Sequence, residues 1–317
     1  MPQPTSNDVH VDAVLTGISV AFMQNAANFV AGQVFPSVNV SKKSDLYYTY
    51  TQADFWRDQV QYRAEGTESA GSGYGLSTAS YNAAVYALHK DVSDQVRANS
   101  DNPLSPDSDA ASFLAQQMML KMEKDWVTNF FSAGIWTTDV TPGTLWSAAS
   151  SDPIGDVSTG IQTIRAATGY VPNTLVLAWD VREILRNHPD IVDRFKYTSS
   201  ASVTDQMLAA VLGVDRILVE GVIENTAAEG QSASYTQLGA KDALLCYSAP
   251  SPGLMVPSAG YNMNWTGMAN VGGVGSSVAT STFRMDHLKA DRIEIEAAWD
   301  FKLVSADLGY FFENCIA

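Results

Sequence analysis

Two acidic side chains, Glu294 and Glu296, are the nearest approach to a catalytic carboxylate pair in the sequence. In a strand they would point to the same face, because side chains alternate between the two faces. Arg292 and Lys302 share that series of even positions and could balance the acidic charge. Alternating charges of this kind are typical of a solvated strand face, so we interpret the pair as structural.

The residues able to bind a metal or act as a nucleophile are scattered. None of the four histidines has a second histidine at metal-ligand spacing, and the two cysteines, Cys246 and Cys315, have no partner at such spacing. We expect both thiols to be reduced and structural. A GxSxG nucleophile motif is absent. We therefore predict no catalytic residue, no cofactor-binding residue and no metal site, and we expect the chain not to be an enzyme.

Two glycine-rich segments, 71–75 and 272–277, invite comparison with phosphate-binding loops. Both lack the third glycine of GxGxxG, and no Gly-Lys-Ser/Thr follows either of them. We interpret both segments as loops, the first at the tip of a hairpin.

Charge narrows the possible functions further. The 317 residues include 19 basic and 34 acidic side chains, a formal net charge of −15, yet only 17% of residues are charged. An acidic chain without a basic run is a poor binder of duplex DNA, because phosphate contacts come mainly from Lys and Arg. No apolar stretch approaches the ~18 residues of a membrane span, and the first residues do not have the pattern of a signal peptide. The many neutral polar residues favour a surface that contacts other protein.

Periodicity indicates two long elements. Apolar side chains recur at spacings of four at Leu114, Met118, Met122, Trp126 and Phe130, which predicts a long helix over 108–131. From 292 to 303 the odd positions are all apolar, and the even positions are charged apart from one alanine. This alternation predicts an unusually long strand with one buried face and one solvated face.

The segment 44–90 is rich in strand-forming residues on either side of the glycine-rich tip. We interpret it as a two-armed hairpin with arms of about twenty residues, which would reach ~65 Å. A hairpin of that length would lie across another subunit.

The remaining chain reads as a loose arm over 1–12, a helix over 13–35 and a small α/β lobe. In the lobe, caps and apolar runs predict helices over 157–167, 180–188 and 204–212 and strands over 174–179, 216–219 and 243–247.

In order and spacing, several passages resemble the major capsid proteins of tailed bacteriophages, which have the Hong Kong 97-type fold. These passages are 33–40, 62–66 with Gly73 and Tyr74, the helix 108–131, 170–176, 188–191, 212–219, 225–227 and 307–310.

The resemblance implies an α+β architecture that covers nearly the whole chain. Its expected parts are an N-terminal arm (1–43), an extended-loop hairpin (44–90), a peripheral domain with the spine helix (91–150), an α/β axial domain (151–280) and a return strand of the peripheral domain (281–317).

The resemblance also implies a role. Copies of the chain would form pentamers and hexamers that tile an icosahedral shell around double-stranded DNA, without sequence-specific binding and without a membrane. Portal, scaffolding and decoration proteins are the expected partners, and the expected location is the virion, assembled in the cytoplasm of the bacterial host. Within the extended loop, the side chains expected to contact a neighbouring subunit are Phe55, Trp56, Tyr62, Arg63 and Tyr74.

Two departures from the family pattern matter. Some relatives crosslink their subunits through a lysine on the extended loop, but this chain has no lysine between Lys43 and Lys90, so we expect no such crosslink. The loop region begins by residue 44, so we also expect no N-terminal scaffold domain. An α/β enzyme or a binding module, with a site dispersed along the sequence, remains the alternative.

Overall fold

The computed structural model describes residues 23–100, 105–195, 203–253, 255–267 and 279–317. The arm predicted over 1–12, the first part of the helix predicted over 13–35 and the glycine-rich loop over 272–277 lie outside these residues.

The α-helices in the described ranges are numbered here in chain order: α1 (Ala31–Val34), α2 (Gln52–Phe55), α3 (Asp94–Ala98), α4 (Pro106–Phe130), α5 (Pro153–Thr168), α6 (Trp179–Arg186), α7 (Pro189–Phe195) and α8 (Asp205–Leu212).

The strands in those ranges are β1 (Ser37–Val40), β2 (Ser44–Tyr50), β3 (Leu76–Asn82), β4 (Ala84–Ser93), β5 (Thr138–Val140), β6 (Thr174–Ala178), β7 (Arg216–Glu220), β8 (Ile223–Asn225), β9 (Tyr235–Gln237), β10 (Ala243–Cys246), β11 (Gly260–Trp265), β12 (Ala279–Met285), β13 (Ala290–Leu303) and β14 (Gly309–Phe312).

The long helix predicted from the apolar stripe is α4, of 25 residues. Four of the five stripe residues are buried and Met122 is half-buried. The helix begins with Pro106 at its first turn, a position where the missing N–H of proline costs nothing. It packs on a five-stranded sheet of order β1-β11-β13-β12, in which β4 also pairs with β13.

The long strand is also confirmed. β13 runs for 14 residues, and the apolar residues at 293, 295, 297, 299 and 301 are all buried. The even positions are less exposed than the alternation predicted. Arg292 is paired with Asp91 of β4, Asp300 accepts a backbone hydrogen bond from Asn82, and Ala298 is fully buried. Neighbouring elements therefore cover part of the face expected to be solvated.

The α/β lobe consists of a second five-stranded sheet, of order β5-β14-β10-β6-β7, with α5, α6 and α8. All six elements predicted between 157 and 247 are present, with boundaries shifted by four residues at most. Thr204 caps α8 through its side chain, and Gly213 ends that helix with φ +74°, as the sequence predicted. One hydrophobic cluster runs through both sheets.

The continuous helix predicted over 13–35 is wrong in its described part. Residues 26–28 form a 3-10 turn, and α1 comprises only four residues. The polar side chains of this segment bond to backbone groups instead. Asn25 accepts from the N–H of Ala27, and Asn28 donates to the carbonyl of Gly221 in the α/β lobe. Such bonds compete with a helix.

We call residues 24–31 the strap, because they join α4 to the α/β lobe. Gln24 exchanges two hydrogen bonds with the backbone of Ile223, and Glu123 of α4 accepts from the N–H groups of Val30 and Ala31 at 3.1 and 3.0 Å. The two lobes are thus connected through a short stretch of chain that bonds to both.

The hairpin is shorter than predicted. β2 and β3 pair antiparallel over seven residues, from Ser44–Asn82 to Tyr50–Leu76. Seven residues span about 23 Å, so the predicted arms of about twenty residues are wrong. The chain between the strands forms α2 and then irregular structure. After Asn82 the chain leaves the hairpin, and β4 pairs with β13 in the five-stranded sheet on which α4 packs. We call α4 the spine helix and this sheet the spine-helix sheet.

Candidate subunit interface

The paired strands β2 and β3, which we call the ribbon, have two different faces. One face carries Tyr47 and Tyr81, which pack with Tyr261, Met263 and Ala249 in a small cluster of the same chain. Burial raises the pKa of both tyrosine hydroxyls, Tyr47 and Tyr81. This face therefore holds the ribbon against its own subunit.

Three hydrogen bonds that involve backbone groups fix the base of the ribbon. The Tyr81 hydroxyl donates to the carbonyl of Lys42 at 3.2 Å, and the N–H of Ala83 donates to the carbonyl of Lys43 at 2.8 Å. The N–H of Asn82 donates to the Asp300 carboxylate at 2.7 Å. The ribbon is consequently tied to the central strand β13 of the spine-helix sheet.

The opposite face of the ribbon is exposed, and its large apolar side chains alternate across the strands with Ser and Thr residues. Leu46 is 61% exposed, Tyr48 67% and Leu76 52%. Tyr50 stands directly opposite Leu76 in the register. This face was not predictable from the sequence, because both the even and the odd positions of β2 carry strand-forming residues. The contacts of Tyr47 and Tyr81 decide which face is free.

Two of the five predicted contact residues form a ring cluster at the end of the ribbon. Phe55 and Tyr74 lie 5.7 Å apart between ring centroids, and each is 5.8 Å from Tyr50. The cluster closes the ribbon internally. It also leaves Phe55 50% and Tyr74 64% exposed, so the same rings remain available to a second surface.

The other three predicted residues are not brought together. Tyr62 is 95% exposed. Arg63 donates from Nε to the carbonyl of Thr67 and stabilises a local turn. The Trp56 ring lies against Gly169 of the α/β lobe of the same chain. A contact of these side chains with a neighbouring subunit stays a prediction.

The carboxyl groups of Glu294 and Glu296 on β13 interact with each other, and their predicted basic partners bind other carboxylates more closely. Burial and the neighbouring Glu294 raise the pKa of Glu296. Arg292 binds Asp91, and Lys302 lies 3.1 Å from Asp300. Asp91, and to a smaller extent Glu294, raise the pKa of Arg292. The predicted balance by Arg292 is therefore retained, while Lys302 pairs with Asp300 instead.

Sequence reasoning missed a serine–histidine–aspartate constellation in the α/β lobe. Ser151 and His188 are buried, with Oγ and Nε2 3.0 Å apart, and Asp190 Oδ2 lies 4.0 Å from Nδ1. Nδ1 faces the N–H of Asp190, so its lone pair accepts and the proton sits on Nε2. The Ser151 hydroxyl donates to the carbonyl of Ala148.

This arrangement has the wrong proton positions for nucleophilic catalysis. A base that activates serine must accept the hydroxyl proton at Nε2, whereas this Nε2–H donates toward Ser151 and Ala148. The carboxylate is also beyond hydrogen-bond distance of Nδ1. These contacts tie the turn before α5 to the start of α7, which is a structural task.

The described ranges offer no group of His, Cys, Asp and Glu side chains arranged to hold a metal ion. Cys246 and Cys315 are free and buried. Burial raises the pKa of the Cys246 thiol to about 12 and raises that of Cys315 as well, so both thiols are protonated and unreactive. Among the helices that the structure describes, none has the length and apolarity needed to cross a membrane.

Known proteins share this architecture and part of this sequence. No family model matches the sequence. The major capsid protein of Burkholderia phage BcepMu is 24% identical over 215 residues, which cover 66% of this chain and 68% of that protein.

Solved structures match over a larger share of the chain. A phage-related protein from Bordetella bronchiseptica superposes with a TM-score of 0.69 at 20% identity, over 92% of this chain and 94% of that chain. The capsid of cyanophage P-SCSP1u superposes with a TM-score of 0.62 at 9% identity, over 98% and 94%. The chain has the Hong Kong 97-type capsid fold. Among the described residues of this fold, Leu46, Tyr48 and Leu76 lie exposed on one face of the ribbon.

Proposed function

We propose that the chain is the major capsid protein of a tailed phage, a structural protein whose copies assemble into a shell. The capsid fold and the curated relative that is itself a major capsid protein support this role. Within the described residues, the proton positions at Ser151 and His188 argue against the enzyme alternative at a constellation that resembles a catalytic triad.

The observation that carries the proposal is the exposed face of the ribbon. A two-stranded ribbon is marginal on its own and needs a further surface to pack against. Its inner face is packed on its own subunit, but Leu46, Tyr48 and Leu76 have no such cover. A second copy of the chain supplies that cover in an assembly in which every subunit presents the same ribbon.

The finer features of the assembly belong to the same proposal. Pentamers and hexamers would tile an icosahedral shell that encloses double-stranded DNA, with portal, scaffolding and decoration proteins as partners. Particles would assemble in the cytoplasm of the bacterial host and persist as virions. A net charge of −15 supports enclosure without tight binding, because an acidic protein repels phosphate.

Electron microscopy of the purified chain tests the role. The expected result is closed shells built from many copies, either spontaneously or together with the phage's other head proteins. Small oligomers under all these conditions, combined with a catalytic activity, would support the enzyme alternative instead.

Substitution of Tyr48 tests the ribbon face. Tyr48→Ser removes an exposed aromatic ring and should prevent closed shells, while Tyr48→Phe keeps the ring and should assemble. Because Tyr48 is 67% exposed, the thermal stability of the unassembled subunit should change little in either variant. Normal shells from Tyr48→Ser would show that this face is not an interface.

A further inference from the structure

The helix α2 at the end of the ribbon, with Trp56 that follows it, contacts the α/β lobe of its own chain at two points. Gln52, the first residue of α2, donates from Nε2 to the carbonyl of Ala167 at 2.7 Å. Four residues later, ring atoms of Trp56 lie 3.3–3.4 Å from the position that a Cβ on Gly169 would occupy. The Ala167 carbonyl and Gly169 both lie at the C-terminal end of α5.

The end of α5 is suited to these contacts. The last carbonyls of a helix have no partner within the helix, so Ala167 can accept the Gln52 amide without losing another bond. Gly169 ends the helix with φ +71°, a conformation that glycine adopts without strain. The absence of a Cβ there also lets the Trp56 ring approach the backbone closely.

We propose that Gln52 and Trp56 are positioning residues, which latch the hairpin to the α/β lobe of its own subunit and fix the direction of the ribbon before a neighbour binds. The base of the ribbon is anchored at Lys42, Lys43 and Asp300. Anchors at one end leave the far end free to swing. The latch adds a fixed point beyond the ring cluster of Tyr50, Phe55 and Tyr74.

The consequence for assembly rests on the proposed function, whereas the latch itself does not. Association costs free energy for every group that must be ordered at the interface. A ribbon already held in one direction avoids that cost, so the latch should accelerate assembly without contributing a contact to the neighbour.

A distance measurement between spin labels on the unassembled full-length subunit tests the latch directly. Labels are attached at Ser69→Cys in the exposed end of the hairpin and at Gln162→Cys on the exposed side of α5. The native thiols, Cys246 and Cys315, are fully buried and should not react with the label. The expected result for the otherwise unchanged chain is one narrow distance distribution.

Two variants should release the latch. Gln52→Glu keeps the size of the side chain but replaces the donating amide with a carboxylate that faces a carbonyl oxygen. Trp56→Ala removes the ring. Each should broaden the distance distribution, and each should leave the thermal unfolding of the subunit nearly unchanged, because both residues are on the surface.

Tyr62→Ala is the matched control, because Tyr62 lies in the same segment and is 95% exposed. Its distribution should stay narrow. Equally narrow distributions in all three variants, or an equally broad one in the unchanged chain, would overturn the latch.

Assembly kinetics then separate the latch from the proposed function. If both are correct, Gln52→Glu should form normal shells about tenfold more slowly, since one hydrogen bond is lost and a carboxylate then faces the Ala167 carbonyl. If the two release variants show broadened distances but the unchanged chain never forms shells, the latch is retained and the capsid role is rejected. Unchanged kinetics despite broadened distances would reject the consequence for assembly.

Discussion

Glu123 is an ionisable residue at a buried position of helix α4. It is fully buried, and its carboxylate accepts hydrogen bonds from two consecutive backbone N–H groups of the strap. Burial raises the pKa of Glu123 to about 8, despite those bonds, and the nearby Glu220 contributes in the same direction. Burial also raises the pKa of Glu220 to about 7. Both carboxyl groups are therefore largely or partly protonated near neutral pH.

These two groups predict how stability changes with pH. In the unfolded chain both carboxyl groups return to the ordinary glutamate pKa of 4.5, so between that value and about 8 the folded chain binds more protons than the unfolded chain. The stability that these two groups contribute should be greatest below 4.5 and should fall as the pH rises to about 8. Urea denaturation of the unassembled subunit between about pH 5 and pH 9 measures this slope.

Glu123→Gln tests the larger contribution. The variant should lose most of the slope that the two glutamates contribute above about pH 7, because Glu220 is then the remaining one of the pair. It should also lose about 1–3 kcal/mol at pH 5, since an amide has one acceptor for two N–H groups. The ion-paired Asp91, Asp94 and Asp291 have lowered pKa values and act below this range. A stability that rises from pH 5 to 9 would contradict the assignment.

Gly309 is a second position where stability is sensitive to a small change, here the addition of a single Cβ atom. A Cβ there would stand 2.0–2.6 Å from ring atoms of Trp136. That ring is fixed by a hydrogen bond from its Nε1 to the carbonyl of Phe130 at 2.8 Å. Gly309→Ala should therefore destabilise the subunit by about 1–3 kcal/mol or more, as measured by denaturant unfolding. Gly143→Ala meets no atom within 4 Å and is the control, with an expected change near zero.

At the scale of elements, Phe35 joins the strap region, the spine helix and the spine-helix sheet. Its ring contacts Trp126 and Phe130 of α4 and Phe301 of β13, with centroid distances of 6.1, 4.9 and 6.1 Å. Phe35→Ala should cost about 3–5 kcal/mol, because a fully buried ring leaves a cavity among three elements.

Phe113 provides the comparison for that prediction. It lies on α4 but is 49% exposed beneath the Lys90 ammonium, so Phe113→Ala should cost less than about 1 kcal/mol. Similar losses for the two substitutions, measured by calorimetry or denaturant unfolding, would show that Phe35 does not hold the elements together.

Elements with a regular apolar period were predictable from the sequence, and the hairpin arms were not. The stripe of α4 and the alternation of β13 depend on burial against one neighbouring layer, which a periodic pattern reports directly. The segment 55–63 also carries apolar residues, but its intended partner, 64–75, is mostly Gly, Ser, Ala and Glu. Those residues are poor strand formers, so the arms separate beyond Tyr50 and Leu76.

The interface residues were only partly predictable for a similar reason. An exposed aromatic residue can be identified as a candidate from its type, as Tyr62 and Tyr74 were. Whether Trp56 lies against the same chain depends on Gly169, which is more than a hundred residues away in the sequence. A local pattern contains no information on such a contact. Glu123 carried a usable signal, since a charge three residues before the buried Trp126 falls on the apolar face of α4.

At the scale of the whole molecule, the hairpin has no lysine side chain that could form a covalent crosslink to another copy. Its described residues include no lysine between Lys43 and Lys90. Assembled particles should therefore dissociate into single chains of 34.1 kDa on a boiled denaturing gel. A ladder of covalent oligomers would contradict this prediction and would direct attention to lysines outside the loop.

The pairing of β4 with β13 has a mechanical consequence. The two strands share ten consecutive residue pairs, from Ala84–Trp299 to Ser93–Ala290. Tension along these strands would load all of their hydrogen bonds in shear at once, whereas a pull across them would open the pairs one after another. The spine-helix sheet is therefore strongest along β13, and a subunit stretched in that direction should yield elsewhere first, at the seven-pair ribbon or between subunits.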